Sequence, residues 1–428
     1  MKFFSVFLLE IRALVRSKTV AMLVVAAVSW MLAFPHIVKG DGTAAGVREL
    51  TVRFSLGGVF ALLVVALLAS ATGSLARERV AKRLQLTLVR PVGYATVALG
   101  KIAAHVVVGA AVLAAACIVT VFSQDMSVPC SHVLSPLMPS PREEASEMYG
   151  KYMADPMTPD AVRRAKKSTV LRLLANRAID RYDTIQTNSV AEWRFGALEG
   201  LDGLAVRMRF TNQMDMRQDV RGVFRLGSLE GVVSNVTQAV LTVPLRSKAG
   251  SGGDCGMNGA AASAGAVRLT FENRGNSALM LRPRRDINIL SAADSFGWNL
   301  LRAYLEMVFI LSLIVSLGVI LSAGLGRPVA LFVAIVALIV GEMSPSVIEQ
   351  YPDELETNVV DRIGLAITRF AANVTKPVSS LSPLGALSRD ERIETRDVAW
   401  LALSDIVMAP LLAALLASFA MACKQEDA

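Results

Sequence analysis

The sequence predicts a polytopic α-helical membrane protein with about six transmembrane helices and one inserted extracytoplasmic α+β domain. Of its 428 residues, 53% are hydrophobic and only 19% are charged, a balance more apolar than that of soluble domains. A helix needs about 20 apolar residues to cross a bilayer. Six apolar runs come close to that length, at residues 19–38, 55–75, 102–122, 303–323, 328–343 and 398–423.

The polar segment 76–101, between the second and third runs, indicates the orientation in the membrane. It contains one acidic residue, Glu78, and six basic residues: Arg77, Arg79, Lys82, Arg83, Arg90 and Lys101. Short basic loops stay in the cytoplasm. Both termini are therefore expected inside a bacterial cytoplasmic membrane, with segments 123–299 and 344–397 outside it. The net charge of +8 is assigned to orientation and lipid headgroups, and not to nucleic acid.

Residues 1–18 have the pattern of an amphipathic helix that lies in the membrane interface. Phe3, Phe7 and Ile11 fall on one helical stripe, whereas Arg12 and Lys18 lie largely elsewhere. The alternative is a cytoplasmic extension of the first span.

Segment 123–299 contains a helix-like and a strand-like sequence pattern, and together they predict the inserted domain. Residues 141–185 are expected to be helical, and residues 189–290 contain seven short strand-like runs separated by glycine, asparagine and aspartate. Strands at this spacing predict a small antiparallel β-sandwich, with Trp193 and Phe271 in its core. Cys130 and Cys255 fall in the same extracytoplasmic segment, where a disulfide and two free thiols are equally compatible with the sequence.

The sequence contains no set of residues whose types and spacing are typical of a catalytic site. The three histidines, His36, His105 and His132, are scattered over two spans and one loop, and no CxxC pair is present. The chain is therefore expected not to be an enzyme and to bind no metal or cofactor itself. If it moves a substrate with ATP, the ATP must bind to another polypeptide.

The stretch 74–104, SLARERVAKRLQLTLVRPVGYATVALGKIAA, is the most informative part of the chain. Residues 76–89 have the pattern of a short amphipathic helix that Arg90-Pro91 ends. This element resembles the segment after the second span in the membrane subunits of the type-two ABC exporter family. The residues that match the family pattern are Glu78, Arg79, Leu84, Leu86, Arg90, Pro91, Gly100 and Lys101. Weaker similarities are found at residues 1–18, 295–333 and 379–391.

In that family the segment is a coupling helix that docks into a groove of the ATP-binding subunit. The resemblance implies that this chain is the permease subunit of an ATP-driven exporter, paired with itself or with a similar chain. Arg83, one turn from Arg79, is expected to face the same ATPase. The large insertion between the third and fourth spans departs from the usual family pattern. The alternative is a non-transporting membrane protein whose ATPase-driven shape change acts on an extracytoplasmic partner.

Three acids lie within or beside the predicted spans: Glu306, Glu342 and Asp405. Ionisable groups at such depths are costly and usually face protein or water. Two interpretations follow, an acidic exit vestibule between two protomers and interfacial side chains that reach headgroup water. The second is the preferred expectation.

Overall fold

The computed structural model describes most of the chain in separate ranges. These are residues 2–37, 49–81, 93–123, 129–159, 163, 167–179, 181–197, 203–210, 220–236, 240–247, 266–350 and 383–426. The chain divides into two compact units. The first contains Met1–Pro129, Asp294–Tyr351 and Thr357–Ala428, and the second contains Cys130–Ala293 and Pro352–Glu356.

Twelve α-helices are found in the described residues. They are α1 (Lys2–Val15), α2 (Lys18–Ile37), α3 (Gly57–Val80), α4 (Tyr94–Ser123), α5 (Pro141–Ala154), α6 (Lys167–Ile179), α7 (Pro283–Asp286), α8 (Phe296–Gly324), α9 (Arg327–Gln350), α10 (Pro383–Ser388), α11 (Thr395–Leu401) and α12 (Ala409–Glu426). Two π-helical turns continue into neighbouring helices: Thr51–Leu56 leads into α3, and Ala402–Met408 joins α11 to α12.

In the part of the chain that the structure describes, four helical segments are long and apolar enough to cross a membrane, so this is a membrane protein by length and composition. They are Thr51–Val80, Tyr94–Phe122, Phe296–Gly324 and Thr395–Ala422. A fifth is obtained if α1 and α2, bent by 60° at their junction, count as one. The apolar part of α9, Arg327–Val340, is shorter. The helices extend beyond the apolar runs that predicted them, because polar residues at their ends do not interrupt helical hydrogen bonding.

Helix α8 lies at the centre of the first unit, where it packs against α3, α4 and α12. Leu68, Ile310, Ile314 and Ala334 form one buried cluster among α3, α8 and α9. Gly318 brings α8 close to α3, because a Cβ atom at this position would lie 2.9 Å from the Cβ of Ala71. The bundle is therefore packed directly around a helix that has little surface left for lipid.

Helix α1 packs along α4 through one face. Leu14 joins Ala104 and Val108 of α4 in a buried cluster, and a Cβ atom added at Gly100 would lie 2.9 Å from the Val6 side chain. Phe4 and Leu9, on other faces of α1, are exposed. Helix α4 therefore covers one face of α1 while apolar residues on other faces stay exposed, and the predicted place of α1 in the membrane interface stays a prediction.

The described part of the second unit contains three β-sheets with antiparallel strand pairs. Its strands are β1 (Pro129–Leu134), β2 (Asp183–Ile185), β3 (Val190–Phe195), β4 (Ala205–Arg209), β5 (Val220–Leu226), β6 (Leu229–Val236), β7 (Val240–Pro244), β8 (Arg246–Ser247), β9 (Val267–Asn273), β10 (Leu279–Leu281) and β11 (Ile287–Ser295). The strand orders are β1-β11-β4-β7, β3-β9-β5-β6-β8 and β10-β2. Side chains from all three sheets share one hydrophobic core, which is the packing that a sandwich requires.

Trp193 and Phe271 are buried in this core, as predicted, with 7% and 0% of their surface exposed. Phe271 packs on Phe224 with ring centroids 4.5 Å apart. The sequence pattern missed β1, β2 and β6, and one predicted run, 237–247, contains both β7 and β8. The β2 strand also corrects the helical range predicted for residues 141–185, since its residues pair with β10 at the C-terminal end of that range.

Glu144 of α5 connects this helix to Arg181, just before β2, and to Arg284 of α7, which lies between β10 and β11 in the chain. The Glu144 carboxylate accepts hydrogen bonds from Arg181 at 3.0 Å and from Arg284 at 2.7 Å. Cys130 on β1 is buried, and Cys255 lies outside the described residues. The described residues therefore test neither the disulfide nor the two free thiols that the sequence left equally compatible.

Candidate functional site

A buried lysine joins three helices of the first unit at the ends of α3 and α4 that adjoin segment 82–92. Lys101 of α4 is only 2% exposed, and its Nζ donates hydrogen bonds to Glu10 Oε2 and to Glu78 Oε1, each at 2.8 Å. Glu10 belongs to α1 and Glu78 to α3. A buried ammonium requires counter-charges, and the two carboxylates supply them from two separate helices.

His105 extends this network one turn along α4. It is fully buried; its Nδ1 lies 2.8 Å from the Lys101 carbonyl oxygen, and its Nε2 lies 3.1 Å from Ser70 Oγ of α3. Because a carbonyl only accepts, Nδ1 is the donor, and Nε2 of the neutral ring accepts from the Ser70 hydroxyl. The histidine thus adds a second polar connection between α4 and α3.

Arg79, at the end of α3, binds the C-terminal end of α8. Its guanidinium donates to the carbonyl oxygens of Ala323 at 2.5 Å and Leu325 at 3.1 Å. The last carbonyls of a helix have no intrahelical donor, and a positive charge there is favourable. Arg79 therefore caps the central helix of the bundle from the neighbouring span.

The structure accounts for half of the residues predicted to couple to an ATPase. Glu78 and Arg79 were expected to face a partner protein. They instead contact their own chain, because the buried Lys101 lies within reach of Glu78 and the C-terminal end of α8 within reach of Arg79. Both residues also belong to α3 itself, so 76–80 continue the span and do not start a separate helix. Gly100 packs on α1, and Lys101 is the centre of the network. Arg83, Leu84, Arg90 and Pro91 lie outside the described residues.

Sequence reasoning missed Glu10, Ser70 and His105 as members of this network. Glu10 carried a detectable signal, since it is the single acid in the otherwise apolar and basic segment 1–18. Hydrogen bonds connect the end of α3 to α4 and α8, and Lys101 connects it to α1.

Two of the three predicted acids are buried in the bundle. Glu306 of α8 and Asp405 of the second π-helical turn are each 1% exposed, which contradicts the preferred expectation that they reach headgroup water. Among the described residues, Glu306 Oε1, Asp405 Oδ2 and Ser316 Oγ have no hydrogen-bond partner. Glu342 lies on α9, and its side chain is outside the described part. The two acids are therefore buried at different levels of the bundle, since Asp405 contacts Ser312, six residues beyond Glu306 along α8.

In the described ranges, no three histidine, cysteine, aspartate or glutamate side chains converge to hold a metal ion. No family model matches the chain, and comparison with curated proteins and with solved structures finds no match. The function is therefore inferred from the residues themselves.

Proposed function

We propose that this chain is the membrane-spanning permease subunit of an ATP-driven ABC transporter, an exporter coupled to a separate ATPase through the segment between α3 and α4. The resemblance of Glu78, Arg79, Gly100 and Lys101 to the type-two ABC exporter pattern motivates the proposal. The observation that carries it is the double ion pair of Lys101 with Glu10 and Glu78.

The ion pairs give the coupling segment a physical route into the bundle. An ATPase can move a permease only by pushing on an element that is firmly attached to the spans. Segment 82–92 leaves α3 just after Glu78 and Arg79, which are bound to α4, α1 and α8. In this proposal Arg83 and Leu84 contact the ATPase, while Glu78, Arg79 and Lys101 pass the displacement to the three helices.

The rest of the architecture follows from the same proposal. The six apolar runs all span the bacterial cytoplasmic membrane, and the basic segment 76–101 keeps both termini in the cytoplasm. The second unit is then an extracytoplasmic β-sandwich domain. Two permease chains, identical or similar, assemble with two ATP-binding subunits.

The test is a site-specific photo-crosslinker placed at Leu84 in cells that hold the chain in its native membrane. A polypeptide with the Walker motifs of an ABC ATPase should be captured, and Leu84→Asp should abolish its co-purification while the abundance of the permease is unchanged. The matched control is the crosslinker at Ser228, an exposed residue of the β5–β6 turn. Failure to capture such an ATPase at Leu84, with the permease present at normal abundance, would refute the proposal.

Transport itself needs a second measurement. Reconstituted with its ATPase in liposomes, the complex should move a substrate or lipid in an ATP-dependent manner. ATP hydrolysis without any such movement would favour the mechanical alternative, in which the extracytoplasmic domain acts on a partner.

A further inference from the structure

Two arginines from different helices converge on Gly73 of α3. Arg77 lies one turn beyond Gly73 on α3, and Arg327 is the first residue of α9. A Cβ atom added at Gly73 would lie 3.1 Å from the Nε atom of each arginine, so the two Nε atoms are no more than twice that distance apart. Because glycine has no side chain, it leaves the space beside α3 that both guanidinium groups use.

The two guanidinium groups keep hydrogen-bond donors for a ligand. Arg77 Nε donates to the Gly73 carbonyl oxygen at 2.9 Å, which positions the group and leaves its two terminal amino groups for a second acceptor. Arg77 and Arg327 are both exposed, so a ligand can reach them. A guanidinium group presents its donors in a planar fork that fits two oxygens of a phosphate. The pair is therefore suited to a shared phosphate group.

The chain near these arginines has an excess of positive charge. Residues 79–124 and 307–341 contain no acid. Glu78, next to Arg77 in the sequence, is paired with Lys101, which balances its charge. The N-terminal end of α9 adds a partial positive charge. Like charges this close repel each other, and an anion between them removes the repulsion.

The two arginines also lie where lipid headgroups are expected. The apolar run of α3 ends at residue 75, and that of α9 begins at residue 328. Arg77 and Arg327 are thus within two residues of these limits. Basic side chains at the ends of transmembrane helices lie at the membrane–water interface, among the headgroups. The anion that fits this position is therefore part of a lipid.

We propose that Arg77 and Arg327 bind the phosphate of an anionic phospholipid. Basic sites between transmembrane helices at the cytoplasmic face bind such headgroups. Val329 and Phe332, in the first two turns of α9, are 51% and 68% exposed and give the acyl chains an apolar surface close to the arginines. In the orientation proposed above the lipid belongs to the inner leaflet, whereas the site itself does not depend on coupling to an ATPase.

The test is equilibrium binding of radiolabelled phosphatidylglycerol to the purified full-length chain in detergent micelles. Unlabelled phosphatidylglycerol should compete for the site, whereas phosphatidylcholine, whose choline cation opposes the arginines, and excess inorganic phosphate should not. Arg77→Gln combined with Arg327→Gln should weaken binding more than about tenfold, since each basic residue near an anionic headgroup contributes roughly fivefold.

Two control variants separate a built site from general attraction to positive charge. Arg12→Gln combined with Arg16→Gln removes two exposed charges from α1 and should change binding less than about twofold, because these arginines lie on a different helix from the site. Gly73→Val keeps every charge but fills the space between the guanidinium groups, and it should weaken binding severalfold while gel filtration shows an unchanged elution volume.

Equal losses in the two double variants would overturn the inference, as would full binding by Gly73→Val. Displacement of the lipid by inorganic phosphate, or equal affinity for phosphatidylglycerol and phosphatidylcholine, would also contradict it. No ATPase is needed in this experiment, so its failure is distinguishable from failure of the coupling proposal at Leu84.

Discussion

Replacing Lys101 with methionine tests the network on which the coupling proposal depends. Methionine keeps the length of the side chain and removes its charge. The substitution leaves Glu10, with a side chain only 10% exposed, as a buried carboxylate without a counter-charge. Glu78 is 28% exposed, so water screens its charge and its share of the loss is smaller. Removing one partner of a buried ion pair costs about 3–5 kcal/mol, and we expect Lys101→Met to destabilise the bundle by that amount.

The measurement is reversible unfolding of the purified chain in mixed detergent and SDS micelles. A triple variant, Lys101→Met with Glu10→Leu and Glu78→Gln, removes all three charges together and should recover most of the lost stability, since apolar replacement of a whole buried ion pair is often neutral. Lys151→Met is the matched control, because Lys151 and Glu147 form an exposed pair on α5 and no measurable change is expected. Equal stability of Lys101→Met and the wild type would refute the reasoning, as would a triple variant less stable than the single one.

Three further predictions concern parts of the chain outside this network. Phe271→Ala should cost about 3–5 kcal/mol, because its fully buried ring leaves a cavity beside Phe224. Val232→Ala on the exposed face of the same sheet should stay within about 0.5 kcal/mol; thermal unfolding followed by circular dichroism compares the two. Gly222→Ala should cost about 1–3 kcal/mol in the same assay, since the new methyl group would lie 2.5 Å from the Phe271 ring and 2.7 Å from the Glu272 carbonyl oxygen. A wild-type level of stability in this variant would contradict the close packing. Asp294→Asn should destabilise by about 1–2 kcal/mol near neutral pH. The hydrogen bond from Arg302 at 2.6 Å lowers the pKa of Asp294, so its contribution is present above the ordinary pKa of about 3.9 and is lost as pH falls through the folded value. The difference from wild type should therefore shrink on acidification, and a constant difference would contradict it.

The second unit shows how far alternation of residue type predicts strands. The patterns around Val206 and Leu269 correctly placed β4 and β9, because one face of each strand is buried in the common core. β6 was missed although it follows β5 after a two-residue turn. Gly227 in that turn has a φ of +58°, and glycine adopts this conformation without strain. The short strand β2 exists only through its pairing with β10, so no local pattern could reveal it.

The candidate sites show the corresponding limit for function. The sequence singled out Glu78 and Lys101 by resemblance, but it could not say that they bind each other. Glu10 stands 91 residues from Lys101 along the chain, and no spacing rule connects them. Similarly, Glu306 and Asp405 were identified as acids within or beside spans, whereas their burial depends on how the helices pack.

The sequence by itself determined that the chain is a membrane protein with a strand-containing insertion, because apolar length and residue alternation are local properties that act before any tertiary contact forms. It also indicated the basic segment 76–101 as the one to connect with a partner. Only the tertiary structure decided which charges are balanced within the chain. Electrostatic free energy in a medium of low dielectric depends on distances of a few ångströms between side chains. Those distances result from helix packing, which places Lys101 between two carboxylates and leaves Glu306 Oε1 and Asp405 Oδ2 without a hydrogen-bond partner among the described residues.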